Sequence, residues 1–328
     1  MSRNRFWIGI AISLICLILA LKDVHFAEIG RALGQANYLL LIPALAAVLA
    51  GLGARAVRWR LLFYPQRDLR LDKLFSVLNI GYLLSNIFPA RLGDLARAYL
   101  IGDLEKVSVA RALSTVVVER VLDVITIVLF LALLIPFVPL PSWAARSGLV
   151  VGALFAALAL LLIAVSYQKE RGLRVLDRLL GLAPGLDGGR LLRGFGSLID
   201  GFAVLRAQGA LPGLIAWSLL AWTCSALINY FVMLAFDPRL PFTAAVFVLC
   251  VTVLGMTVPS SPGYVGVFDY LTVVALSLFA VEKDLALSYA LVLHAVLYIS
   301  MSLMGLLSLW RESYSLGQVR GEISSAGL

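Results

Sequence analysis

Residues 207–236 read AQGALPGLIAWSLLAWTCSALINYFVMLAF, a stretch without a single charged side chain. A helix needs roughly 20 consecutive apolar residues to cross the ~30 Å hydrocarbon core of a bilayer. This stretch is therefore long enough to form a transmembrane helix. It indicates that lipid, rather than water, surrounds part of the chain.

The composition of the whole chain extends this conclusion. Of the 328 residues, 61% are hydrophobic and only 14% are charged, and the mean hydropathy is +0.96. A soluble domain carries about 25% charged residues, and no single globular core of this size can bury so much apolar surface. The composition excludes a soluble enzyme, a disordered chain and a secreted disulfide scaffold. We predict an all-α fold, a polytopic integral membrane helical bundle.

Other uncharged runs have lengths compatible with membrane helices, and they lie at residues 6–21, 32–54, 74–90, 124–145, 147–168, 240–268, 270–281 and 285–310. Seven to nine spanning helices are expected, depending on whether two interrupted segments cross the membrane. The first run follows Arg3 and Arg5 and contains no small-residue cleavage site before Lys22, so we expect it to be a retained first helix.

The runs suggest one transmembrane domain, residues 1–328, with two halves at 1–145 and 207–310 that are joined by residues 146–206. Leucine and phenylalanine recur at helical spacing in residues 167–206, with arginines on the flanks, which favours amphipathic helices at the inner membrane surface over a solvated connector.

Lysine and arginine are concentrated in residues 55–73 and 167–210, so these segments are expected to be cytoplasmic. Both termini are then cytoplasmic, and the predicted location is a bacterial inner membrane. The net charge of +8 favours contact with anionic headgroups, with no nucleic acid as partner.

Two segments are interrupted by residues that do not continue a helix. The run at 74–90 ends at Pro89, and the run from Leu240 is broken by Pro259-Ser-Ser-Pro-Gly263. Irregular backbone at membrane depth is tolerated where protein or a water-filled cavity surrounds it. We predict re-entrant hairpins or discontinuous helices that open from opposite sides, an arrangement typical of inverted repeats with a site near the midplane.

Charged residues follow the first break, although charges inside a membrane are costly and usually face a cavity or a partner. Arg91, Asp94 and Arg97 fall on one helical face, and Glu119, Arg120 and Asp123 fall on one face at the start of the next long helix. One interpretation is that the two clusters pair with each other and lock the bundle. The other is a polar cavity in which arginines bind phosphate while the carboxylates hold them in place or carry a coupling proton.

The breaks supply further candidate residues for binding an anion. Asn86, Ser260, Ser261 and Gly263 lie where half-helix ends would present N–H groups, although packing kinks would explain them equally well. Asp269 follows the second break and is expected to belong to a mobile gate. His294, in the last apolar run, is interpreted as a packing residue, with a proton relay as the alternative.

Several chemistries lack their usual motifs in this sequence. There is no G-x-x-x-x-G-K-[ST] loop, no G-x-S-x-G and no H-E-x-x-H. The three cysteines lie in apolar runs without a Cys-x-x-Cys pair. We therefore expect no cofactor, no metal site and no catalytic residue.

Three motifs, in order, carry a resemblance to a known family: Asn86-Ile-Phe-Pro-Ala-Arg-Leu-Gly-Asp-Leu-Ala-Arg97, Val118-Glu-Arg-Val-Leu-Asp123 and Pro259-Ser-Ser-Pro-Gly-Tyr-Val-Gly-Val-Phe-Asp269. Together they resemble the transmembrane domain of lysylphosphatidylglycerol synthases, also called the flippase-like domain or UPF0104. The chain is similar to a stand-alone member without the synthase domain. Tyr264 and Asp269 depart from that pattern, which often has glycine and glutamate there.

The resemblance implies a lipid flippase that moves a phosphate-bearing phospholipid, isoprenoid lipid or glycolipid between leaflets. Its partner would be an anionic or glycosylated membrane lipid, and a homo-oligomer or a lipid-modifying enzyme is a further partner class. Two alternatives remain: an integral-membrane lipid transferase that uses Asp94, Glu119 or Asp123 as a base, and an accessory scaffold for a lipid-modifying enzyme.

Overall fold

The computed structural model describes most of the chain. It covers residues 3–65, 68–88, 92–138, 209–237, 239–257 and 260–314, together with stretches of one or two residues between 150 and 204 and residue 317. All regular structure in these ranges is helical, which confirms the prediction of an all-α polytopic membrane protein. The expected span at 147–168 and the amphipathic segment at 167–206 lie almost entirely outside the described residues.

The described ranges contain ten α-helices: α1 (Arg3–Leu21), α2 (Phe26–Gln35), α3 (Leu41–Leu62), α4 (Leu71–Ile87), α5 (Leu92–Glu105), α6 (Val109–Leu134), α7 (Leu211–Phe236), α8 (Phe242–Gly255), α9 (Val267–Ser277) and α10 (Lys283–Arg311).

Three of these elements are long and apolar enough to cross a membrane: α3 with the 3-10 turn before it, α7 and α10. Helices α1 and α2 meet at 83° and make a fourth span if they are counted together. Helix α6 is as long as α7, at 26 residues, but carries three charged residues in its middle. The described ranges thus hold fewer simple spans than the seven to nine expected for the whole chain, because several apolar runs fold into shorter helices.

The long helices leave large apolar side chains on the surface. On α3, Ile42 and Leu49 are more than half exposed, and on α10 the same is true of Ile299, Leu303 and Leu307. Such continuous apolar surface is unfavourable in water and is what a helix presents to lipid. The protein is therefore embedded in a membrane.

Helices α3 and α7 pack together in opposite directions. The backbone N–H of Asn37, just before α3, donates to the carbonyl of Ala235 near the end of α7, at 2.9 Å. At the other end, Gly213 at the start of α7 lies against Leu61. We call the end with residues 63–65, 68–70 and 312–314 the basic end, and the end with residues 237, 239–241 and 281–284 the far end.

A hairpin of two short helices follows α3 and returns to the basic end. Helices α4 and α5 have 17 and 14 residues, hence lengths of roughly 25 and 21 Å, which are less than the ~30 Å of a hydrocarbon core. They approach closely where Gly81 faces Gly93. The hydroxyl of Tyr314 donates to Asp103 near the end of α5, at 2.6 Å. The first interrupted segment is therefore a re-entrant hairpin.

A second hairpin follows α7 and returns to the far end. Helices α8 and α9 have 14 and 11 residues, or roughly 21 and 16 Å, and Gly255 packs against Leu271 between them. The shorter apolar piece that carries Asp269 after the break is helix α9, which runs without interruption through Asp269. The carboxylate of Asp269 accepts the N–H of Gly266 at 3.0 Å and so caps the helix in which it lies.

The tips of the two hairpins meet inside the bundle. The carbonyl of Asn86, near the end of α4, lies close to Gly263 in the second break, and the Asn86 amide donates to Ser302 on α10 at 3.3 Å. Helix α1 closes the other side, where Ser13 accepts the N–H of Ser261 at 2.8 Å. In each half, a long helix is followed by a hairpin and another long helix, and the two halves run in opposite directions.

Candidate functional site

The charged residues predicted from the sequence come together between α5 and α6. Asp94 and Arg97 lie on α5, and Glu119, Arg120 and Asp123 lie on α6. Arg91 and Pro89, which precede them, lie outside the described residues.

The expected position of the second cluster, at the start of its helix, is wrong. Helix α6 begins at Val109, where Ser108 caps it by accepting the N–H of Arg111 at 3.2 Å. Glu119 therefore lies almost three turns inside the helix, deep in the bundle rather than at its entrance.

Arg97 forms the most enclosed contact between the two helices. Its Nη2 lies 3.0 Å from Glu119 Oε2 and its Nη1 lies 3.4 Å from Glu119 Oε1, the two-pronged geometry that fits guanidinium to carboxylate. Its guanidinium also lies over the ring of Trp59, 4.8 Å from the centroid. Both partners of this ion pair are buried.

A third arginine, Arg58 on α3, joins the cluster. Its Nη1 donates to Asp123 Oδ1 at 2.7 Å and to the hydroxyl of Ser218 at 3.3 Å, and its Nη2 lies 3.2 Å from Glu119 Oε1. Arg58 is not among the residues predicted from the sequence, because its position within residues 55–73 indicates a cytoplasmic segment. The signal was present, since Val57 and Trp59 flank Arg58 and the apolar pattern continues beyond Ala54.

Arg120 completes a closed ring of alternating charge. Its Nη2 lies 2.9 Å from Asp94 Oδ1 and its Nη1 lies 3.4 Å from Asp123 Oδ2. Asp94 in turn lies 3.7 Å from Arg97 Nη2. Every carboxylate therefore bridges two arginines, and the ring runs in this order: Arg58, Asp123, Arg120, Asp94, Arg97, Glu119 and back to Arg58.

The ring is closed on one side and accessible on the other. The side chains of Arg58, Arg97 and Glu119 are at most 1% exposed, whereas those of Asp94 and Arg120 are 22% and 36% exposed. Three positive and three negative charges cancel, which lowers the energy of holding them in the bundle. Asp94 and Arg120 thus form the edge at which an outside group can reach the ring.

Neighbouring side chains hold the buried side of the ring in place. The indole N–H of Trp222 on α7 donates to Asp123 Oδ1 at 2.9 Å, and that of Trp59 donates to Thr115 at 3.0 Å. Arg55, one turn before Arg58, lies over the ring of Trp222 and donates to Ser225.

The arginines still have hydrogen-bonding capacity. Within the described part of the chain, Arg58 Nε, Arg97 Nε and Arg120 Nε are buried and have no hydrogen-bond acceptor. Buried N–H groups normally find an acceptor. An anionic group that reached Arg120 could supply one.

The predicted residues of the second break lie in a separate polar cluster, apart from the six charged residues of the ring. Asp269 and Gly263 both contact His294 on α10, and Ser261 is held by Ser13 of α1. The Ser260 hydroxyl is buried and has no hydrogen-bond partner among the described residues. Asn86 connects this cluster to the tip of the first hairpin.

The described residues contain no group of three or more histidine, cysteine, aspartate or glutamate side chains that could hold a metal ion. The six-residue ring is a charge-balanced, arginine-rich site with donors suited to phosphate or carboxylate oxygens.

Fold and site together define a class: a helical membrane protein with two opposed re-entrant hairpins and a buried ionic site beside one of them. The chain belongs to the lysylphosphatidylglycerol synthase TM region family, whose model matches residues 6–305. The resemblance inferred from the three motifs is thereby confirmed.

Relatives from archaea match nearly the whole chain. A UPF0104 membrane protein of Methanothermobacter thermautotrophicus is 26% identical over 318 residues, which cover 90% of this chain and 92% of the relative. Another from the same organism is 24% identical and covers 99% of this chain and 97% of the relative. The glycosyltransferase AglD of Haloferax volcanii is 26% identical over 88% of this chain but only 51% of its own length. These similarities support a membrane protein with a lipid-related role.

Proposed function

We propose that this protein is a lipid translocase, not an enzyme, which binds a phosphate-bearing lipid and moves its headgroup between leaflets. The observation that carries the proposal is the unequal exposure of the six-residue ring. Arg58 and Glu119 are buried on one side, whereas Arg120 and Asp94 are accessible on the other. The family and the two opposed hairpins support it.

The distances suggest a division of roles within the ring. Arg120 is the group that meets phosphate, because it is the most exposed arginine of the ring. Asp94 is shared between Arg120 and Arg97, so it can release Arg120 to a phosphate and keep its contact with Arg97. Arg97 was expected to bind phosphate, and Arg58 was not predicted as a site residue. Both are buried, and their role is to hold the ring together. Arg91 retains its expected role as a phosphate ligand.

Orientation and location are part of the proposal. The basic end faces the cytoplasm because arginine and lysine favour that side. Both termini are then cytoplasmic, and the protein resides in the plasma membrane, the inner membrane of a bacterium. Transport runs down a lipid gradient or is coupled to an ion.

The test is transport of a labelled lipid in vesicles. Purified protein is reconstituted with fluorescent phosphatidylglycerol, and the label that becomes accessible to dithionite is followed over time. Arg120→Gln is expected to slow this exchange about tenfold or more, because a hydrogen-bonded charge contributes roughly 1.5–3 kcal/mol. Arg239→Gln is the matched control, since Arg239 is exposed at the far end and pairs locally with Asp237.

Equal exchange by wild type and Arg120→Gln would overturn the assigned role of Arg120. Equal exchange in vesicles with and without protein would count against translocation of this lipid. Arg91→Ala, expected to abolish translocation while the protein still accumulates, tests the second arginine that is proposed to bind phosphate.

A further inference from the structure

His294 lies between two acceptors at the second break. Its Nε2 is 2.8 Å from the carbonyl oxygen of Gly263, and its Nδ1 is 3.2 Å from Asp269 Oδ1. The side chains of His294 and Asp269 are 18% and 4% exposed. The contact therefore joins α10, α9 and the break itself in the interior of the bundle.

The chemistry of the two acceptors fixes the number of protons. A backbone carbonyl only accepts, so Nε2 carries a proton. An ionised carboxylate also only accepts, so the contact at Nδ1 requires one more proton, either on the imidazole or on the carboxyl group. Without it, lone pairs of Nδ1 and Asp269 Oδ1 would face each other across 3.2 Å.

We infer that Asp269 and His294 bind one proton between them, and that this proton holds the second break in its present conformation. The proton comes from solvent and returns to it when the contact opens. If this proton serves as the coupling ion, that role rests on the proposed translocation. The binding of the proton by Asp269 and His294 does not depend on that proposal.

His294 and Asp269 hydrogen-bond to the two ends of the turn at residues 263–266, three of whose residues have positive φ. His294 holds the carbonyl of Gly263, and the other oxygen of Asp269 holds the N–H of Gly266. Between them Tyr264 has a φ of 58°, and the two glycines have φ of 70° and 83°. A side chain at φ near 60° costs free energy, so the turn depends on contacts that keep it in place.

The surroundings contain few competing charges. The rings of Phe268 on α9 and Tyr298 on α10 lie 4.9 and 6.2 Å from that of His294. Helix α1 contributes the neutral Ser13 and the first hairpin the neutral Asn86. Among the described residues, Asp269 is the one carboxylate within ion-pair distance of His294, and Tyr298 is the other titratable side chain in ring contact.

The ring carboxylates already have two cationic partners each. Each of Asp94, Glu119 and Asp123 lies between two arginines, so a proton on any of them would weaken two ion pairs. The expectation that these carboxylates carry the coupling proton therefore fits the geometry less well than a proton at the second break.

The experiment measures how accessible the break is as the pH changes. Cys16, Cys224 and Cys250 are replaced by alanine, and Val265→Cys places one thiol on an exposed position of the break. The rate of its reaction with a maleimide is measured from about pH 5 to about pH 8, the range in which histidine titrates. Each rate is divided by that of the same protein unfolded in detergent, which removes the titration of the thiol.

The normalised rate is expected to rise about tenfold with pH, the effect of losing one hydrogen bond of ordinary strength. Asp269→Asn can donate to a neutral His294 and still accept the N–H of Gly266, so its rate is expected to stay low at every pH. His294→Ala removes the grip and is expected to react fast at every pH.

The other histidine of the chain provides the control. His25 pairs with Asp284 at the far end, at 3.3 Å, with its side chain 78% exposed. Asp284→Asn is expected to leave the pH dependence at residue 265 unchanged. If wild type and Asp269→Asn show the same pH dependence, the proton site is overturned. Because the labelling experiment measures no lipid transport, this result would not contradict the translocation proposal, which the vesicle assay tests separately.

Discussion

At the residue scale, burial distinguishes charges that maintain the structure from a charge that can meet a ligand. Arg58 and Arg120 share Asp123, but the side chain of Arg58 is fully buried while that of Arg120 is partly exposed. A charge pair that is fully enclosed has no surface to offer a substrate. The identity of a residue as arginine was therefore insufficient to assign its role.

Removal of Arg58 is expected to destabilise the protein severely. Arg58→Gln leaves Glu119 and Asp123 buried with one cation fewer, and breaking a buried pair costs roughly 3–5 kcal/mol. The measurement is the apparent Tm of the purified protein in detergent, followed by tryptophan fluorescence. Arg31→Gln, an exposed i,i+3 partner of Glu28, is the control and should hardly change Tm. An unchanged Tm for Arg58→Gln would show that the ring is not needed for stability.

At the element scale, the close contact of α4 and α5 depends on two glycines. A Cβ on Gly93 would meet the carbonyl oxygen of Gly81 and the hydroxyl of Ser85, both too close for any real contact. The first hairpin therefore positions Asp94 and Arg97 only because no side chain separates its helices. In this motif the charged residues predict a binding site, whereas Gly93 allows the close approach of the two helices.

Gly93→Ala is expected to force the hairpin apart. Overpacking of this kind costs typically 1–3 kcal/mol or more, because the atoms in the way belong partly to backbone. Lower Tm and slower lipid exchange should appear together, since α5 carries two members of the ring. The matched control is Gly53→Ala on α3, where a Cβ meets nothing within 4 Å and alanine favours the helix by roughly 0.5–1 kcal/mol. Similar Tm values for the two variants would contradict the close packing.

At the scale of the whole molecule, the two halves are arranged in opposite directions, so their hairpins enter from opposite ends. Contacts hold α10 at both of its ends. At the basic end, Lys73 Nζ on α4 lies 2.5 Å from Oε2 of Glu312, which follows α10. At the far end, Lys283 Nζ on α10 donates to the carbonyl oxygen of Leu19 on α1 at 3.0 Å. The tips of the hairpins meet between these ends. A site of this kind can exchange access between the two sides through movement of either hairpin.

The orientation of the two ends can be tested by labelling from one side. In a cysteine-free background, Arg239→Cys at the far end is expected to react with a membrane-impermeant maleimide in intact cells. Asp68→Cys at the basic end should react only after the membrane is opened, because the arginine-rich segment faces the cytoplasm. The reverse pattern would invert the proposed topology, and labelling of both from outside would contradict a membrane between the two ends.

The sequence by itself determined the membrane environment and the helical class, because hydropathy depends on composition along the chain and not on contacts. It also determined the family, because the three motifs can be recognised in order along the chain. It also located both breaks, since Pro89 and Pro259-Ser-Ser-Pro-Gly263 end long apolar runs, and proline in a helix interior removes a backbone hydrogen bond. Only the tertiary structure decided which charges pair. Arg58 and Asp123 are 65 residues apart, and His294 and Asp269 lie on different helices. Such pairs depend on how antiparallel helices and hairpin tips pack, which local periodicity does not encode.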